Sequence, residues 1–215
     1  YIHHYLRQLG DNLLQGELKM PMVDFRIGQG MDILTTLNYY GMGDPFLLLA
    51  AFCPLEHLET LYAVLIFLRL YLSGVFFSAF CFTKNHTRHS AVLTGALLYV
   101  FCGYGLYASV RHPFFVNGML FLPLFLLGTE RVLQKKKYGF FAIVAGWSMM
   151  TNFYFTYMNS ILMGIYVLFR LVPDRGLLWK QKITQIFQMI GAYLIGIMMS
   201  AVITFPVVYA YSGCS

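Results

Sequence analysis

Long apolar stretches alternate with short basic clusters along most of this chain. Three such clusters are Lys84 and Arg88; Arg131, Lys135, Lys136 and Lys137; and Arg170, Arg175, Lys180 and Lys182. Basic loops stay on the cytoplasmic side of a bilayer, so each connection between two clusters is predicted to cross the membrane an even number of times. The pattern therefore predicts a stack of transmembrane hairpins.

The apolar stretches have the lengths that such hairpins need. Residues 61 to 82 are apolar apart from Arg69, and these 22 residues would form a helix of roughly 33 Å, enough for one crossing. Two more spans are predicted at about 90 to 109 and about 113 to 128. The turn between them, at 110 to 114, is expected on the outer side.

The stretch from 138 to 171 is too long for one crossing, since its 34 residues would make a helix of about 51 Å. Both of its ends are basic, so it is predicted to be a hairpin that turns at Thr151 and Asn152. Each arm is shorter than the ~20 residues of a full crossing, and we expect the turn below the outer surface. A last span, at about 183 to 211 with a kink at Pro206, brings the predicted total to six.

The first 57 residues have a different pattern. Apolar residues recur there at helical spacing: Ile2, Tyr5, Leu6, Leu9 and Leu13. This spacing predicts an amphipathic helix along the membrane interface. Asp44 before Pro45 predicts the N-cap of a short helix, which Pro54 would end. We therefore expect an extracytoplasmic loop with interfacial helices at 1–57 and an all-α, polytopic transmembrane helical bundle at 58–215.

Composition supports a membrane protein and argues against other classes. Hydrophobic residues make up 59% of the chain, charged residues 11%, and the mean hydropathy is +0.64, outside the range of a soluble domain. The net charge of +6 lies mostly in the basic clusters, so membrane orientation and anionic lipid explain it without nucleic acid. The four cysteines have no metal-ligand spacing, and neither a metal nor a cofactor is predicted.

Acidic and tyrosine residues of the external segment are candidates for chemistry on a lipid headgroup. Asp24, Asp32 and Asp44 lie there together with Tyr39 and Tyr40. A carboxylate in this position could remove the proton from an attacking hydroxyl group, as a general base does in group transfer. The alternative is that these acids are solvated or cap helices, as Asp44 is predicted to do.

Arg69 is a candidate of another kind, because it lies near the middle of a predicted span. Arginine at that depth costs about 2.5 to 3.5 kcal/mol on insertion scales, so it usually faces the bundle interior or a wet cavity with a partner. A phosphate or diphosphate lipid headgroup is one possible partner. An ion pair with Glu59, or a hydrogen bond to a neighbouring backbone carbonyl, is the other.

The two predicted outer turns carry further candidate binding residues. Arg111 and His112 lie in the first turn, where the guanidinium group could hold a phosphate or act as an interfacial anchor. Asn152 and Tyr154 lie in the sunken hairpin turn, where they could bind a sugar or a headgroup. For Tyr154 the alternative is a place in the aromatic belt of the membrane. We also expect the turn at Asn152 and the segment around Asp44 to meet over one cavity.

Four stretches of the chain resemble the bacterial YfhO family of polytopic membrane proteins. They are NYYGMGDPFLLLAAFCP at 38–54, FLRLYLSG at 67–74, LPLFLLGTERVLQKKK at 122–137 and TNFYFTYM at 151–158. The matches follow one another in order over nearly the whole chain. One departure is Arg69, which stands where the family usually has lysine and which changes the donor geometry.

The resemblance implies an activity as well as a fold. The family is similar to the GT-C glycosyltransferases, which take a sugar from a polyprenyl-phosphate carrier and transfer it outside the membrane. In a bacterial plasma membrane the acceptor is expected to be a cell-envelope polymer of the teichoic-acid type. The likeness also places the family's catalytic aspartate upstream of Tyr1, so we expect this chain to be a fragment that lacks it. A non-catalytic flippase or transporter of a lipid-linked sugar is the alternative.

Overall fold

The computed structural model describes residues 2–16, 23–25, 31–33, 41, 43–83, 88–135, 137–174 and 176–213. Within these ranges the chain is helical except for turns and one pair of two-residue strands. Strand β1 (Val23–Asp24) pairs antiparallel with β2 (Met31–Asp32), with Val23 opposite Asp32. The predicted all-α helical class is confirmed.

The helices are numbered here in chain order. They are α1 (Ile2–Leu14), α2 (Pro45–Leu48), α3 (Leu58–Cys81), α4 (His89–Val100), α5 (Gly103–Arg111), α6 (Val116–Lys135), α7 (Gly139–Thr151), α8 (Phe153–Leu171), α9 (Trp179–Met199) and α10 (Ala201–Gly213). Short 3₁₀ helices at Leu49–Phe52, Leu55–His57 and Pro113–Phe115 lead from one helix to the next.

Helix α1 is amphipathic, as predicted, but protein covers part of its apolar face. Tyr5 and Leu6 are buried in a small core with Leu47 and other residues at the start of the membrane helices. Close approach depends on Gly10, since a Cβ atom there would lie 2.1 Å from the carbonyl oxygen of Ala51. Tyr5 and Leu6 therefore dock α1 on the 3₁₀ helix Leu49–Phe52 instead of contacting lipid.

The main core surrounds α6, which contacts α3, α7 and α8. Its buried apolar side chains include Leu120, Phe121, Leu124, Phe125 and Val132. Phe125 packs edge-on against Phe141 of α7, with ring centres 6.1 Å apart. Because α6 is covered on several sides, polar groups that it carries are held inside the bundle.

The number of spans differs from the predicted six. By length and hydropathy, three helical stretches in the described chain can cross a membrane: Leu55–Cys81, Pro113–Gln134 and Trp179–Met199. Helices α4 and α5 make a fourth if their 44° bend lies within one crossing. Helices α7 and α8 form the predicted hairpin, but neither arm is long and apolar enough to cross a membrane alone, so three or four spans in the described chain replace the predicted six.

The last predicted span is also divided at a different place. Helix α9 ends at Met199 and α10 begins at Ala201, so the break lies at Ser200, whereas Pro206 lies inside α10. The Ser200 hydroxyl donates to the carbonyl oxygen of Ile197 at 2.6 Å, the kind of bond that competes with regular helix geometry. The last apolar stretch therefore breaks at Ser200, ahead of the kink predicted at Pro206.

A proline inside α6 has a compensating partner on α4. Pro123 has no N–H group, so the carbonyl of Met119, four residues earlier, lacks its usual helical donor. The Tyr99 hydroxyl donates to this carbonyl oxygen at 2.6 Å. The side chain of a neighbouring helix thus satisfies the group that the proline leaves open.

Candidate functional site

Three polar side chains meet inside the bundle and form what we call the outer cluster: Asp44, Arg69 and Asn117. The Arg69 Nη2 atom donates to Asp44 Oδ2 at 2.6 Å, and its Nε atom donates to Asn117 Oδ1 at 3.0 Å. Asn117 Nδ2 in turn donates to Asp44 Oδ2 at 2.8 Å. Each member therefore bonds to both others.

Each residue of the outer cluster is placed by a local feature of its own segment. Asp44 caps α2, with Oδ1 accepting from the backbone N–H of Phe46 at 3.0 Å. Arg69 lies midway along α3 and Asn117 in the first turn of α6. The cluster thus ties the segment before the membrane helices to two of those helices.

The outer cluster is almost fully withdrawn from the surface. Asp44, Arg69 and Asn117 are 0%, 1% and 1% exposed, and the Arg69 guanidinium carbon lies 5.4 Å from the centre of the Phe46 ring. Burial of opposite charges together leaves the site near electroneutrality. The ion-pair partner of Arg69 is therefore Asp44 and not Glu59, which corrects one alternative drawn from the sequence.

Gly41 marks the point where three turns of the chain converge. Its φ of +86° is in the left-handed region that glycine tolerates. A Cβ atom at this position would lie 3.4 Å from Cβ of Phe114, 3.7 Å from the carbonyl oxygen of Thr151 and 3.8 Å from Cβ of Asp44. The segment before α2 therefore reaches the 3₁₀ turn before α6 and the hairpin turn after α7.

The hairpin turn meets the Asp44 segment, as expected, in a packed contact. A Cβ atom at Gly43 would lie only 2.1 Å from the carbonyl oxygen of Met150. Asn152 is 3% exposed and caps α8, accepting from the backbone N–H groups of Tyr154 at 3.0 Å and Phe155 at 3.2 Å. The juxtaposition agrees with the prediction, and at Gly43 and Met150 the two segments are in direct backbone contact.

An exposed surface beside this contact combines basic and aromatic groups. We call it the aromatic-basic rim: Arg111, His112, Phe115, Tyr154 and Phe155. The rings of His112 and Phe115 have centres 5.0 Å apart, as do those of Phe115 and Phe155, and Tyr154 follows at 5.5 Å from Phe155. Arg111, His112 and Tyr154 are exposed. The two predicted outer turns therefore form one continuous face.

Among the remaining candidates of the external segment, the structure describes the side chain of Asp24. Asp24 accepts a hydrogen bond from the Tyr5 hydroxyl and so attaches β1 to α1. The backbone of Asp32 is in β2, while its side chain lies outside the described part of the chain. Tyr39 and Tyr40 also lie outside the described residues. Within the described ranges, no three His, Cys, Asp or Glu side chains are grouped to hold a metal ion.

A second polar group, centred on the buried Glu130 and called the inner cluster, was not anticipated from the sequence. It consists of Glu130, Gln134, Tyr166 and Arg170. Glu130 is 0% exposed. Its carboxylate accepts hydrogen bonds from Nε and Nη2 of Arg170 at 2.8 and 3.2 Å, from Nε2 of Gln134 at 2.8 Å and from the Tyr166 hydroxyl. The sequence did contain a signal for this cluster. Glu130 is a single acid within an apolar stretch, and Tyr166 and Arg170 are four residues apart in a later one.

The inner cluster predicts an asymmetry between two substitutions. Arg170→Leu removes the guanidinium group that contacts the buried Glu130 carboxylate, and we expect a loss of about 2 kcal/mol in unfolding free energy, reduced because the Arg170 side chain is 42% exposed. Glu130→Gln leaves an arginine that water can reach, so it should cost less. Denaturant unfolding in detergent micelles would measure both. Equal losses would contradict this account.

Comparison with known proteins identifies the family to which the chain belongs. The family model described as "Bacterial membrane protein YfhO" matches residues 11–213. The "Uncharacterized protein YfhO" of Bacillus subtilis (strain 168) is 33% identical over 141 residues, an alignment covering 64% of this chain and 16% of that relative. No solved structure matches the chain. Because the family model spans nearly the full length, the protein belongs to the YfhO family of bacterial membrane proteins.

Proposed function

We propose that this protein is part of a membrane glycosyltransferase. It transfers a sugar from a polyprenyl-phosphate carrier to an extracytoplasmic acceptor such as a teichoic-acid-type polymer. In this proposal the chain is multi-pass, and the N-terminal segment and the aromatic-basic rim face outward, because the basic clusters lie at the other end of the helices. The observation that carries the proposal is the rim itself, a basic and aromatic face beside a buried, hydrogen-bonded cluster.

The chemistry of the rim suits a sugar joined to phosphate. The Arg111 guanidinium offers paired N–H donors to phosphate oxygens, and His112 lies next to it in the chain. The rings of Tyr154 and Phe155 offer flat apolar faces on which the C–H face of a sugar can rest. The carrier's isoprenoid chain is apolar, so it would extend from such a site into the surrounding membrane lipid.

The outer cluster is assigned a positioning role in this proposal. Both carboxylate oxygens of Asp44 accept hydrogen bonds and the residue has no exposed surface, so in this arrangement it cannot take a proton from an acceptor hydroxyl. Its ion pair with Arg69 holds α2 and the adjoining turn against the membrane helices. The general base is then another carboxylate, and the much greater length of the Bacillus subtilis relative leaves room for one.

The proposal is tested with the full-length protein in lipid nanodiscs. Radiolabelled undecaprenyl-phosphate-linked glucose and N-acetylglucosamine serve as donors and purified lipoteichoic acid as acceptor. We expect label to enter the polymer, and Arg111→Ala/His112→Ala to lower kcat/KM about 10-fold to 100-fold, chiefly through KM. Arg88→Ala, which removes an exposed arginine at the opposite end of α4, is the matched control.

Two outcomes would count against the glycosyltransferase. The first is the absence of labelled polymer with every donor for the unmodified protein. The second is movement of labelled carrier across the bilayer at the same rate with and without acceptor, which would indicate a transporter or flippase. Equal kcat/KM for the rim variant and the Arg88→Ala control would remove the rim from the site.

A further inference from the structure

The segment that carries Asp44 lies alongside the N-terminal half of α3. Leu47 belongs to the same buried core as Leu58 and Leu65 of α3. Asp44, three residues before Leu47, pairs with Arg69, which lies halfway along the 24 residues of α3. Because a helix rises 1.5 Å per residue, the part of α3 between Leu58 and Arg69 is about 16 Å long. Helix α2 and the 3₁₀ helix that follows it are packed beside this part.

This half of α3 is at membrane depth. Helix α3 and the 3₁₀ turn before it form the stretch Leu55–Cys81, which is long and apolar enough to cross a membrane. About 20 helical residues cross the hydrocarbon core, so the core that begins at Cys81 ends near residue 62. Leu65 and Arg69 fall inside it. The segment packed against them therefore lies at the boundary between hydrocarbon and headgroups.

The side chains that this segment exposes are apolar. We call them the apolar strip: Leu48, Leu49, Phe52 and Leu55, which are 46%, 50%, 69% and 60% exposed. Leu49 and Phe52 are three residues apart in one 3₁₀ helix, a spacing that puts both on the same side. Leu55 also begins the apolar stretch that crosses the membrane, so lipid adjoins the strip. Exposed apolar groups at this depth form a lipid-contacting surface.

The backbone of the segment is hydrogen-bonded in the way that membrane depth requires. The backbone N–H of Phe46 donates to Oδ1 of Asp44 at 3.0 Å, and the carbonyl oxygen of Ala51 accepts from Nη1 of Arg7 at 3.3 Å. Asp44 is the one charged residue between positions 44 and 55, and its carboxylate is paired with Arg69. The segment can therefore enter the interface without an unpaired charge.

We propose that the apolar strip is embedded in the lipid leaflet that surrounds the N-terminal half of α3, with acyl chains lying against Leu49 and Phe52. In the orientation proposed above this is the outer leaflet. The proposal reverses the expectation for the first 57 residues, in which α1 contacts lipid. Helix α1 packs on protein, and residues 48–55 make the lipid contact instead. The proposal does not depend on sugar transfer.

Spin labels on the strip would measure its surroundings directly. Full-length protein whose other cysteines are replaced by serine receives a nitroxide at Leu49→Cys or Phe52→Cys and is placed in phosphatidylcholine nanodiscs. Molecular oxygen concentrates in hydrocarbon, whereas nickel(II) ethylenediaminediacetate stays in water. We expect the ratio of oxygen to nickel collision rates at both positions to be several-fold higher than at Lys137→Cys, an exposed loop position, and close to that at Phe67→Cys, which is 73% exposed within α3.

Aspartate substitutions separate lipid from water by their effect on stability. Aspartate costs little at a position exposed to water, but it is penalised in contact with lipid. Phe52→Asp and Leu49→Asp should each lower Tm in the nanodiscs by about 5 °C or more. Lys137→Asp, the matched control, should leave Tm within about 2 °C of the unmodified protein.

Nickel collisions as frequent at positions 49 and 52 as at 137 would place the strip in water and overturn the proposal. Slow collisions with both reagents would show that protein covers the strip, from a second copy or another segment, and would equally remove lipid as its partner. Equal Tm values for Phe52→Asp and Lys137→Asp would contradict the proposal independently. If Phe52→Cys does not fold, the label at Leu49→Cys decides.

Discussion

Replacing Arg69 with leucine is expected to destabilise the protein by about 3 to 5 kcal/mol. The guanidinium group is the cation for Asp44, which is 0% exposed, and its removal leaves a carboxylate buried inside an apolar bundle. The segment that precedes the membrane helices should detach first, because Asp44 belongs to this segment and its ion pair with Arg69 attaches the segment to α3. If Arg69 served only to bind a phosphate headgroup, one of the partners considered from the sequence, the substitution would instead leave the fold intact.

The loss can be followed through Cys53, which is half-buried at the end of the 3₁₀ helix Leu49–Phe52. In a protein whose other cysteines are replaced by serine, Arg69→Leu should make Cys53 react faster with a thiol reagent and should lower Tm. The double variant Asp44→Asn/Arg69→Met removes both charges and should recover most of the stability. Reaction rates at Cys53 that are equal in Arg69→Leu and the unmodified protein would show that the ion pair does not hold the segment.

The double variant also decides whether Arg69 contacts a phosphate. It lacks the guanidinium group but is expected to fold, so a change in carrier binding would not reflect unfolding. If Arg69 serves only to position α2, carrier Kd should be unaltered in the double variant. A large rise in carrier Kd, with Tm retained, would mean that the guanidinium group leaves Asp44 to reach the ligand.

Gly196→Ala is expected to have the second largest effect, a loss of about 3 kcal/mol or more. A Cβ atom at Gly196 would lie 2.3 Å from the carbonyl oxygen of Ala142 and 2.8 Å from Cβ of Ala145, so α9 would have to move away from α7. The same contact brings the Gly196 carbonyl within 2.7 Å of the position that a Cβ atom would occupy at Gly146. No flexible side chain can absorb these overlaps.

The matched control is on the same helix. A Cβ atom at Gly191 would have no neighbouring atom within 4 Å, so Gly191→Ala should gain up to about 1 kcal/mol from its higher helix propensity. Thermal unfolding of both variants in the same micelles would separate backbone contact from propensity. If both alanines shift Tm in the same direction, the close contact of α7 and α9 is not a determinant of stability.

Local signals predicted the elements well. Asp44 and Pro45 start a helix because a side-chain acceptor and a fixed φ act within three residues, and the α7–α8 turn falls at Asn152 because its side chain caps the next helix. The apolar spacing of α1 likewise predicted a helix with one buried face. In each case the determining groups are neighbours in the chain.

Long-range partners could not be predicted in this way. Arg69 is 25 residues from Asp44 and 48 from Asn117, and nothing in the composition distinguishes Asp44 from the nearer Glu59 as its partner. Glu130 likewise finds Arg170 from 40 residues away. The break at Ser200 was missed for a related reason, since average hydropathy does not show where a continuous apolar stretch divides into two helices.

Pro123 gives α6 a compliant point between its two polar ends. Asn117 belongs to the outer cluster and Glu130 to the inner cluster, while between them the helix lacks one of its own hydrogen bonds. Bending stiffness is lowest at such a gap, so each half of α6 can settle against its own cluster without straining the other. The Tyr99 hydroxyl, which donates to the open Met119 carbonyl, ties this weaker point of α6 to α4.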